Sequence, residues 1–484
     1  MALPPPKKND SLKGEKPSGA GLQVVPSISQ ADGHLKTLGL PHGKPVRHRV
    51  AAFLNESREK LAHTPDGSIT RQIILDGLAA ALAAPPPDHL RRVINGTGVV
   101  IHTNLGRAVL TPRLTRSAWE LAHGYANLEY NLSTGKRGGR GGQAPHLLAR
   151  LSGGESALAV NNNAAVVLLL LAALGKGGQV IVSRGELVEI GGAFRVPDIL
   201  RQSGCRLVEV GTTNRTRLAD YQAAVTPKTT GLLKVHRSNF SMTGFVAEVS
   251  VGELAGLAQS VNRERQAAGG KPLGVWHDLG SGNFYRFRQK ALAGVPTVQQ
   301  AVAEGADVVT FSGDKLLGSV QAGIAVGRSA AIQTMARHPL FRSLRMDKIR
   351  LALLEESLKD YLDISTLPQH NPTIGMLERT LEDMTPMAEA LTAKLQASTP
   401  GPLEWQVVRG ESLTGGGAVP EARIETLCLA LTWKGHTPQS LADHLRRNSP
   451  PIIARLAEDR VLLDLRTLFP QDLDDVAQAL LHLS

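Results

Sequence analysis

The chain has 484 residues, enough for two or three domains, and 42% of them are hydrophobic, as in globular proteins. Lys and Arg number 54 against 43 Asp and Glu, a formal charge of +11 that is compatible with a nucleic-acid partner but does not establish one. Cys205 and Cys428 lie far apart, which excludes a disulfide framework and a cysteine-based zinc site and favours a reducing cytoplasm. The longest apolar run, residues 164–174, is too short to span a bilayer.

The first 88 residues divide by composition into a tail and a helical region. Residues 1–21 are rich in Pro, Lys, Gly and Ser and are predicted to be a disordered tail. Residues 22–88 carry apolar side chains at helical spacing, including a predicted helix from Ile69 to Ala84 that ends at three prolines. Basic residues lie between these helices. They indicate either a binding surface or the ordinary solvated face of a dimerisation arm.

Two glycine-rich stretches follow. Residues 95–106 form a polar loop, and residues 135–142 place Lys136, Arg137 and Arg140 among five glycines. Glycines let backbone and guanidinium groups approach an anion closely. The second stretch therefore predicts an anion site, with a flexible surface loop as the alternative.

Repeated strand, loop and helix units between residues 157 and 311 predict a mostly parallel sheet with helices on both faces. Polar residues follow the strands at Asn162, Asn163, Thr212, Thr213 and His236. Because open α/β sheets bind ligands at the carboxyl ends of their strands, a single active site is expected there. The Asn turn opens a helix at residue 164, which suits either a bound phosphate or simple N-capping.

The chemistry depends on two further strand ends. Lys315 follows the β-branched run 308–311 in SGDK, and Asp278 follows the strand 275–277 in DLGSG. A desolvated lysine can form a Schiff base with a carbonyl cofactor, and an acid can keep a pyridine nitrogen protonated. Alternatively, each residue alone is explained by a turn: a surface lysine, or an aspartate that caps a helix. Together they favour pyridoxal 5'-phosphate.

The chain after Lys315 is predicted to form helices first and then a segment that contains both strands and helices. Arg342 and Arg345, three residues apart, are expected on one face of a helix, where a salt-bridged surface is the alternative explanation. A helix is predicted over 374–395. Strands and closing helices then make residues 369–484 a small α+β domain.

Ten ordered blocks resemble one family, the bacterial selenocysteine synthases, L-seryl-tRNA(Sec) selenium transferases. They are INGTGVVIHTNLGRA, NLEYNLSTGKRGGR, NNNAA, SRGELVEIGGAFR, GTTNRT, KVHRSNF, DLGSG, SGDKLLG, RSLRMDK and PPIIAR with LLDLRT, and they span nearly the whole chain from about residue 22. The resemblance implies a fold-type-I pyridoxal-phosphate enzyme, similar to aspartate aminotransferase, with residues 89–368 as the catalytic core.

The resemblance also implies roles for particular residues. Lys315 and Asp278 resemble the catalytic pair. The implied cofactor contacts are Lys315, Asp278, Asn162, Asn163, Ser312 and His236. The implied pocket for the donor, selenophosphate, consists of Arg137, Arg140, Arg342, Arg345, Thr212 and Thr213.

The implied reaction removes the β-hydroxyl of serine esterified to tRNA(Sec) and adds selenium from selenophosphate. The implied assembly is a cytoplasmic homo-oligomer, a decamer in this family, in which residues 22–88 bind the tRNA. Two other functions remain open: a related lyase or aminotransferase acting on a small amino acid or amino sugar acid, and a catalytically inactive tRNA-binding scaffold.

Overall fold

The computed structural model describes residues 22–63, 69–83, 90–190, 194–397, 401–419 and 421–483. The chain divides into two compact units, Met1–Arg92 and Val93–Ser484. The tail predicted over 1–21 lies outside the described residues, and the predicted domain boundaries remain predictions.

The helices and strands are as follows. The helices are α1 (Ile28–Thr37), α2 (Arg47–His63), α3 (Arg71–Ala83), α4 (Pro112–Ala122), α5 (Ala144–Ser152), α6 (Asn163–Leu170), α7 (Val196–Gln202), α8 (Leu218–Ala224), α9 (Val251–Ala267), α10 (Val298–Ala303), α11 (Ser329–Arg337), α12 (Pro339–Leu344), α13 (Lys348–Asp360), α14 (Leu367–His370), α15 (Pro372–Glu378), α16 (Leu381–Gln396), α17 (Pro438–Arg447) and α18 (Asp472–Leu481). The strands are β1 (Ile94–Gly96), β2 (Tyr130–Asn131), β3 (Lys136–Arg137), β4 (Ser156–Val160), β5 (Gln179–Ser183), β6 (Glu189–Ile190), β7 (Phe194–Arg195), β8 (Arg206–Val210), β9 (Thr229–Val235), β10 (Gly274–Gly280), β11 (Val308–Ser312), β12 (Gly323–Gly327), β13 (Leu403–Leu413), β14 (Arg423–Trp433), β15 (Ile452–Ala457) and β16 (Arg460–Asp464).

The N-terminal unit is a small helical body with its own apolar core. Leu35 of α1, Leu54 of α2 and Leu78 of α3 are fully buried in one cluster. Ser27 and Gln30 form a capping box that starts α1. Helix α3 occupies the region in which the sequence predicts a helix over 69–84.

A seven-stranded sheet organises the second unit, in the order β4-β12-β11-β10-β9-β5-β8. Its neighbours pair in parallel except β12, which is antiparallel to both β11 and β4. Because side chains alternate along a strand, Val309 and Phe311 enter one core while Val308 enters the other. Both faces are therefore covered, and the predicted mostly parallel α/β class is confirmed.

A second sheet, β1-β15-β16-β14-β13, forms the C-terminal part. It is antiparallel except where β1 pairs in parallel with β15. Strand β1 comes from the start of the predicted core, so residues 94–96 complete the sheet of the C-terminal segment. This long-range strand addition has no local signal in the sequence.

Two helical predictions are wrong in detail. The helix predicted over 374–395 is two helices, α15 and α16, separated at Arg379 and Thr380. Thr380 forms a capping box with Asp383, and Arg379 turns its guanidinium to the carbonyl oxygens of Leu465, Arg466 and Leu468. These contacts start a new helix where apolar periodicity predicts one continuous helix.

The arginine pair does not share a helical face. Helix α12 ends at Leu344, and Arg345 has extended backbone dihedral angles. Arg345 instead pairs as an isolated β-bridge with Val160 at the end of β4. Arg342 stays on α12 and is exposed.

Candidate active site

Lys315 lies in the tight turn that follows β11. The turn is fixed to its surroundings because the Gly313 N–H donates to Ala322 O and the Leu316 N–H donates to Ser281 O. Lys315 is only 5% exposed. Burial lowers the pKa of its amine, and the positive charge of Arg107 lowers it further. The unprotonated amine, which is the nucleophilic form, is therefore more favoured at Lys315 than at an exposed lysine.

Asp278 occupies the neighbouring strand β10, near its carboxyl end. Its Oδ1 accepts hydrogen bonds from Asn163 Nδ2 at 2.8 Å and from Thr310 Oγ1 at 3.2 Å. Burial raises the pKa of the Asp278 carboxyl, although both donors and the charge of Lys315 favour the carboxylate. The side chain is thus held by two neighbouring elements, α6 and β11.

A cavity of about 260 Å³ brings the predicted cofactor residues together. It is lined by all six of them: Lys315, Asp278, Asn162, Asn163, Ser312 and His236. Asn162 caps α6 by accepting a hydrogen bond from the Ala165 N–H at 2.9 Å, so N-capping is one role of the Asn turn. Burial lowers the pKa of His236 to about 4, so its ring is neutral near pH 7.

Arg107 is a residue of this cavity that the sequence reasoning missed. Its Nη1 donates to Asp314 Oδ2 at 2.9 Å, and its φ of 63° is unusual for a non-glycine residue. Such strained backbone recurs at functional sites. The available signal was its position directly after the polar, glycine-rich loop 95–106.

Three predicted donor-site arginines meet at one carboxylate, Glu129. Arg140 Nη1 lies 2.7 Å, Arg137 Nη2 3.0 Å and Arg345 Nη1 3.4 Å from its oxygens. The hydrogen bond from Arg140 is the main cause that lowers the pKa of Glu129. We call these four residues the arginine cluster. Arg140 and Arg345 line a separate cavity of about 690 Å³.

The other predicted donor-site residues lie elsewhere. Thr212 and Thr213 are exposed and follow β8, the edge strand, which is separated from β10 by β9 and β5. Thr212 Oγ1 donates to the carbonyl oxygen of Arg215 at 3.1 Å. In the described part of this chain, neither threonine lines the two cavities, and neither does Arg342.

The cofactor cavity fits pyridoxal phosphate. It pairs a buried amine with a buried carboxyl group, and the first turn of α6 opens onto it, where free N–H groups favour a phosphate. Asn163 Oδ1 and Asp314 Oδ1 are buried in the described structure without a hydrogen-bond partner. Such atoms have bonding capacity left for a polar ligand.

This fold and this site define a pyridoxal-phosphate-dependent enzyme of fold type I. A family model described as L-seryl-tRNA selenium transferase matches residues 93–469. The chain belongs to that family.

Curated relatives agree with this assignment, and a solved structure shares the fold. The chain is 45% identical over 469 residues to the L-seryl-tRNA(Sec) selenium transferase of Geobacter sulfurreducens, covering 96% of this chain and 98% of that protein. It is 46% identical over 465 residues to the enzyme of that name from Geotalea daltonii, covering 95% and 98%. A D-glucosaminate-6-phosphate ammonia-lyase structure superposes with a TM-score of 0.54 at 20% identity, covering 81% of this chain and 96% of that one, which shows a shared fold.

Among the described residues, none of the helices combines the length and the apolar character needed to cross a membrane.

Proposed function

We propose that this chain converts seryl-tRNA(Sec) to selenocysteinyl-tRNA(Sec), with selenophosphate as the selenium donor. The observation that carries the proposal is the buried pair of Lys315 and Asp278 in one cavity of a chain that belongs to the L-seryl-tRNA selenium transferase family. We further propose a cytoplasmic homodecamer.

Six residues would hold the cofactor. Lys315 would bond to its carbonyl carbon, Asp278 would face its ring nitrogen, and Asn162, Asn163 and Ser312 would contact its phosphate at the start of α6. His236, neutral near pH 7, would contact the ring or its hydroxyl without adding charge. When bound, the cofactor supplies an electron sink for loss of the α-proton and the β-hydroxyl of serine.

Lys315 has a second task, as the base. Burial lowers the pKa of its amine and so favours the unprotonated form, in which Nζ can take the α-proton of the seryl group. Asp278 acts by holding charge at its carboxyl oxygens, which Asn163 and Thr310 keep oriented. The enclosure of both groups excludes water and strengthens these electrostatic interactions.

The donor would bind at arginine and threonine side chains. Arg137, Arg140, Arg342, Arg345, Thr212 and Thr213 are proposed to bind the phosphate of selenophosphate, some of them across a subunit interface. Guanidinium groups suit this task because they bind phosphate oxygens bidentately. In the described chain three of these arginines contact Glu129, so the donor would exchange with or join that carboxylate.

The test is the visible spectrum of the purified enzyme during titration with seryl-tRNA(Sec), with seryl-tRNA(Ser) as the control. The expected result is a yellow protein whose absorption band shifts only with seryl-tRNA(Sec). A yellow protein that ignores both tRNAs but responds to a free amino acid would overturn the proposal in favour of a small-molecule lyase.

The N-terminal helical unit is proposed to bind the tRNA, in keeping with its basic residues Lys44, Arg47 and Arg49. Deletion of residues 1–84 is expected to leave cofactor binding intact, because the cofactor cavity lies within the other compact unit. Affinity for tRNA(Sec), measured by filter binding, should fall. Unchanged affinity would remove the proposed role of this unit.

A further inference from the structure

A glycine-rich loop of the C-terminal sheet covers Lys315. We call residues 414–418, which directly follow β13, the roof loop. The Ile101 N–H donates to Thr414 O at 2.8 Å, and the Gly417 N–H donates to Ser238 O at 3.0 Å. Ser238 itself lines the cofactor cavity. The roof loop is thus tied at two points to backbone around the site.

The end of the Lys315 side chain lies in the space that a side chain at position 417 would need. A Cβ built at this position would lie 2.5 Å from Lys315 Nζ and 2.6 Å from Cε, which is closer than real Cβ contacts. Gly417 also has a φ of +86°, in the left-handed region that favours glycine. The space in which the amine lies therefore exists because residue 417 has no side chain.

We propose that Gly417 is a positioning residue for Lys315, so that the C-terminal segment sets where the catalytic amine sits. The inference deepens the proposed function and rests on it only for the role of Lys315. Nothing in the sequence places residue 417 near residue 315, because the contact joins different sheets.

A methyl group at position 417 would collide with Lys315, and either the roof loop or the lysine side chain would have to move. The roof loop is held by its two backbone hydrogen bonds, whereas Lys315 Nζ is the end of a flexible side chain. The amine should therefore be displaced and the fold retained. Because Lys315 is enclosed, the displacement forces a less favourable rotamer.

The experiment compares three alanine variants of the cofactor-bound enzyme. Gly417→Ala introduces the collision. Gly435→Ala imposes a similar left-handed strain, at φ +79°, where a Cβ would meet nothing within 4 Å. Gly416→Ala alters the same loop, where a Cβ would meet Thr103 Oγ1 at an ordinary 3.5 Å.

The measurements are the dissociation constant of pyridoxal phosphate and the fraction of chain that borohydride reduction links to it. Gly417→Ala should weaken binding about ten-fold and lower the linked fraction. The two controls should stay within about two-fold of the parent. If Gly417→Ala behaves like the controls, the inference is overturned.

A double-mutant cycle guards against a general folding defect. Gly417→Ala should lower the thermal midpoint more in the parent than in a Lys315→Ala background, because the second change removes the colliding atoms. Equal losses in both backgrounds would overturn the inference. None of these three measurements involves tRNA, so a failure of the proposed tRNA substrate would be seen separately in the spectral titration.

Discussion

The cofactor cavity and the arginine cluster are built in opposite ways. In the cavity, Lys315 and Asp278 are 5% exposed and held by turns and strand ends of one sheet. In the cluster, the side chain of Arg137 is 78% exposed, and three guanidinium groups share the single carboxylate of Glu129. The first gathers its six predicted cofactor residues from one chain, whereas the second has more positive than negative charge and can attract a further anion. Burial tunes reactivity at one site, and excess charge provides attraction at the other.

The largest effect is expected from Lys315→Ala, which removes the cofactor-bonding amine. Borohydride treatment should then link no cofactor to the chain, as measured by mass spectrometry, and turnover should be lost. Lys176→Ala, at an exposed lysine, is the matched control. A chain that is still labelled after Lys315→Ala would contradict the assignment.

Asp278→Asn keeps the shape of the side chain and removes its charge. Turnover should fall by about a hundred-fold or more, since a fixed charge facing the reacting system is lost. Thr310→Val, which removes one donor to Asp278, should have a smaller effect in the same direction. The measurement is single-turnover kinetics. Full activity after Asp278→Asn would show that this carboxyl does not face the ring nitrogen.

Arg140→Gln tests the arginine cluster. It should raise the KM for selenophosphate about ten-fold, because one charge-assisted contact is lost, and leave the cofactor spectrum unchanged. Arg113→Gln is the control, since Arg113 pairs with Asp360 on another surface. An altered cofactor spectrum with an unchanged KM for selenophosphate would show that Arg140 acts on the cofactor cavity and not on donor binding.

Glu129→Gln should act in the opposite direction. It removes the carboxylate that competes with the donor for three guanidinium groups, so the KM for selenophosphate should fall several-fold. Steady-state kinetics at two salt concentrations checks this, because the gain should shrink as salt rises. A higher KM would show instead that Glu129 is needed to arrange the arginines.

The smallest expected effect is a pH shift in the cofactor cavity. The charge of Arg107 lowers the pKa of Lys315, so Arg107→Gln should raise that pKa and move the pH profile of cofactor attachment to higher pH. His236 should add no step near neutrality, since its pKa is about 4. A shift to lower pH would contradict the electrostatic role of Arg107.

Much of the cofactor cavity could be predicted because its signals are local. The run VVTF predicts a buried strand, the residues after it predict a turn, and Asp278 and Asn162 follow predicted strands in the same way. Since parallel strands end at one edge of a sheet, these separate signals predict one site. The structure gathers all six predicted cofactor residues there.

The sequence by itself determined the α/β class, the strand ends that carry Lys315 and Asp278, and the family. It could do so because apolar periodicity and short motifs depend only on residues that are close together in the chain. Only the tertiary structure decided that Arg345 leaves its helix, that Glu129 gathers three arginines, that Arg107 faces Asp314 and that Gly417 lies on Lys315. Apart from those of Arg137 and Arg140, which lie 8 and 11 residues from Glu129, these contacts join residues far apart in the chain. They depend on packing between elements, which no local pattern encodes.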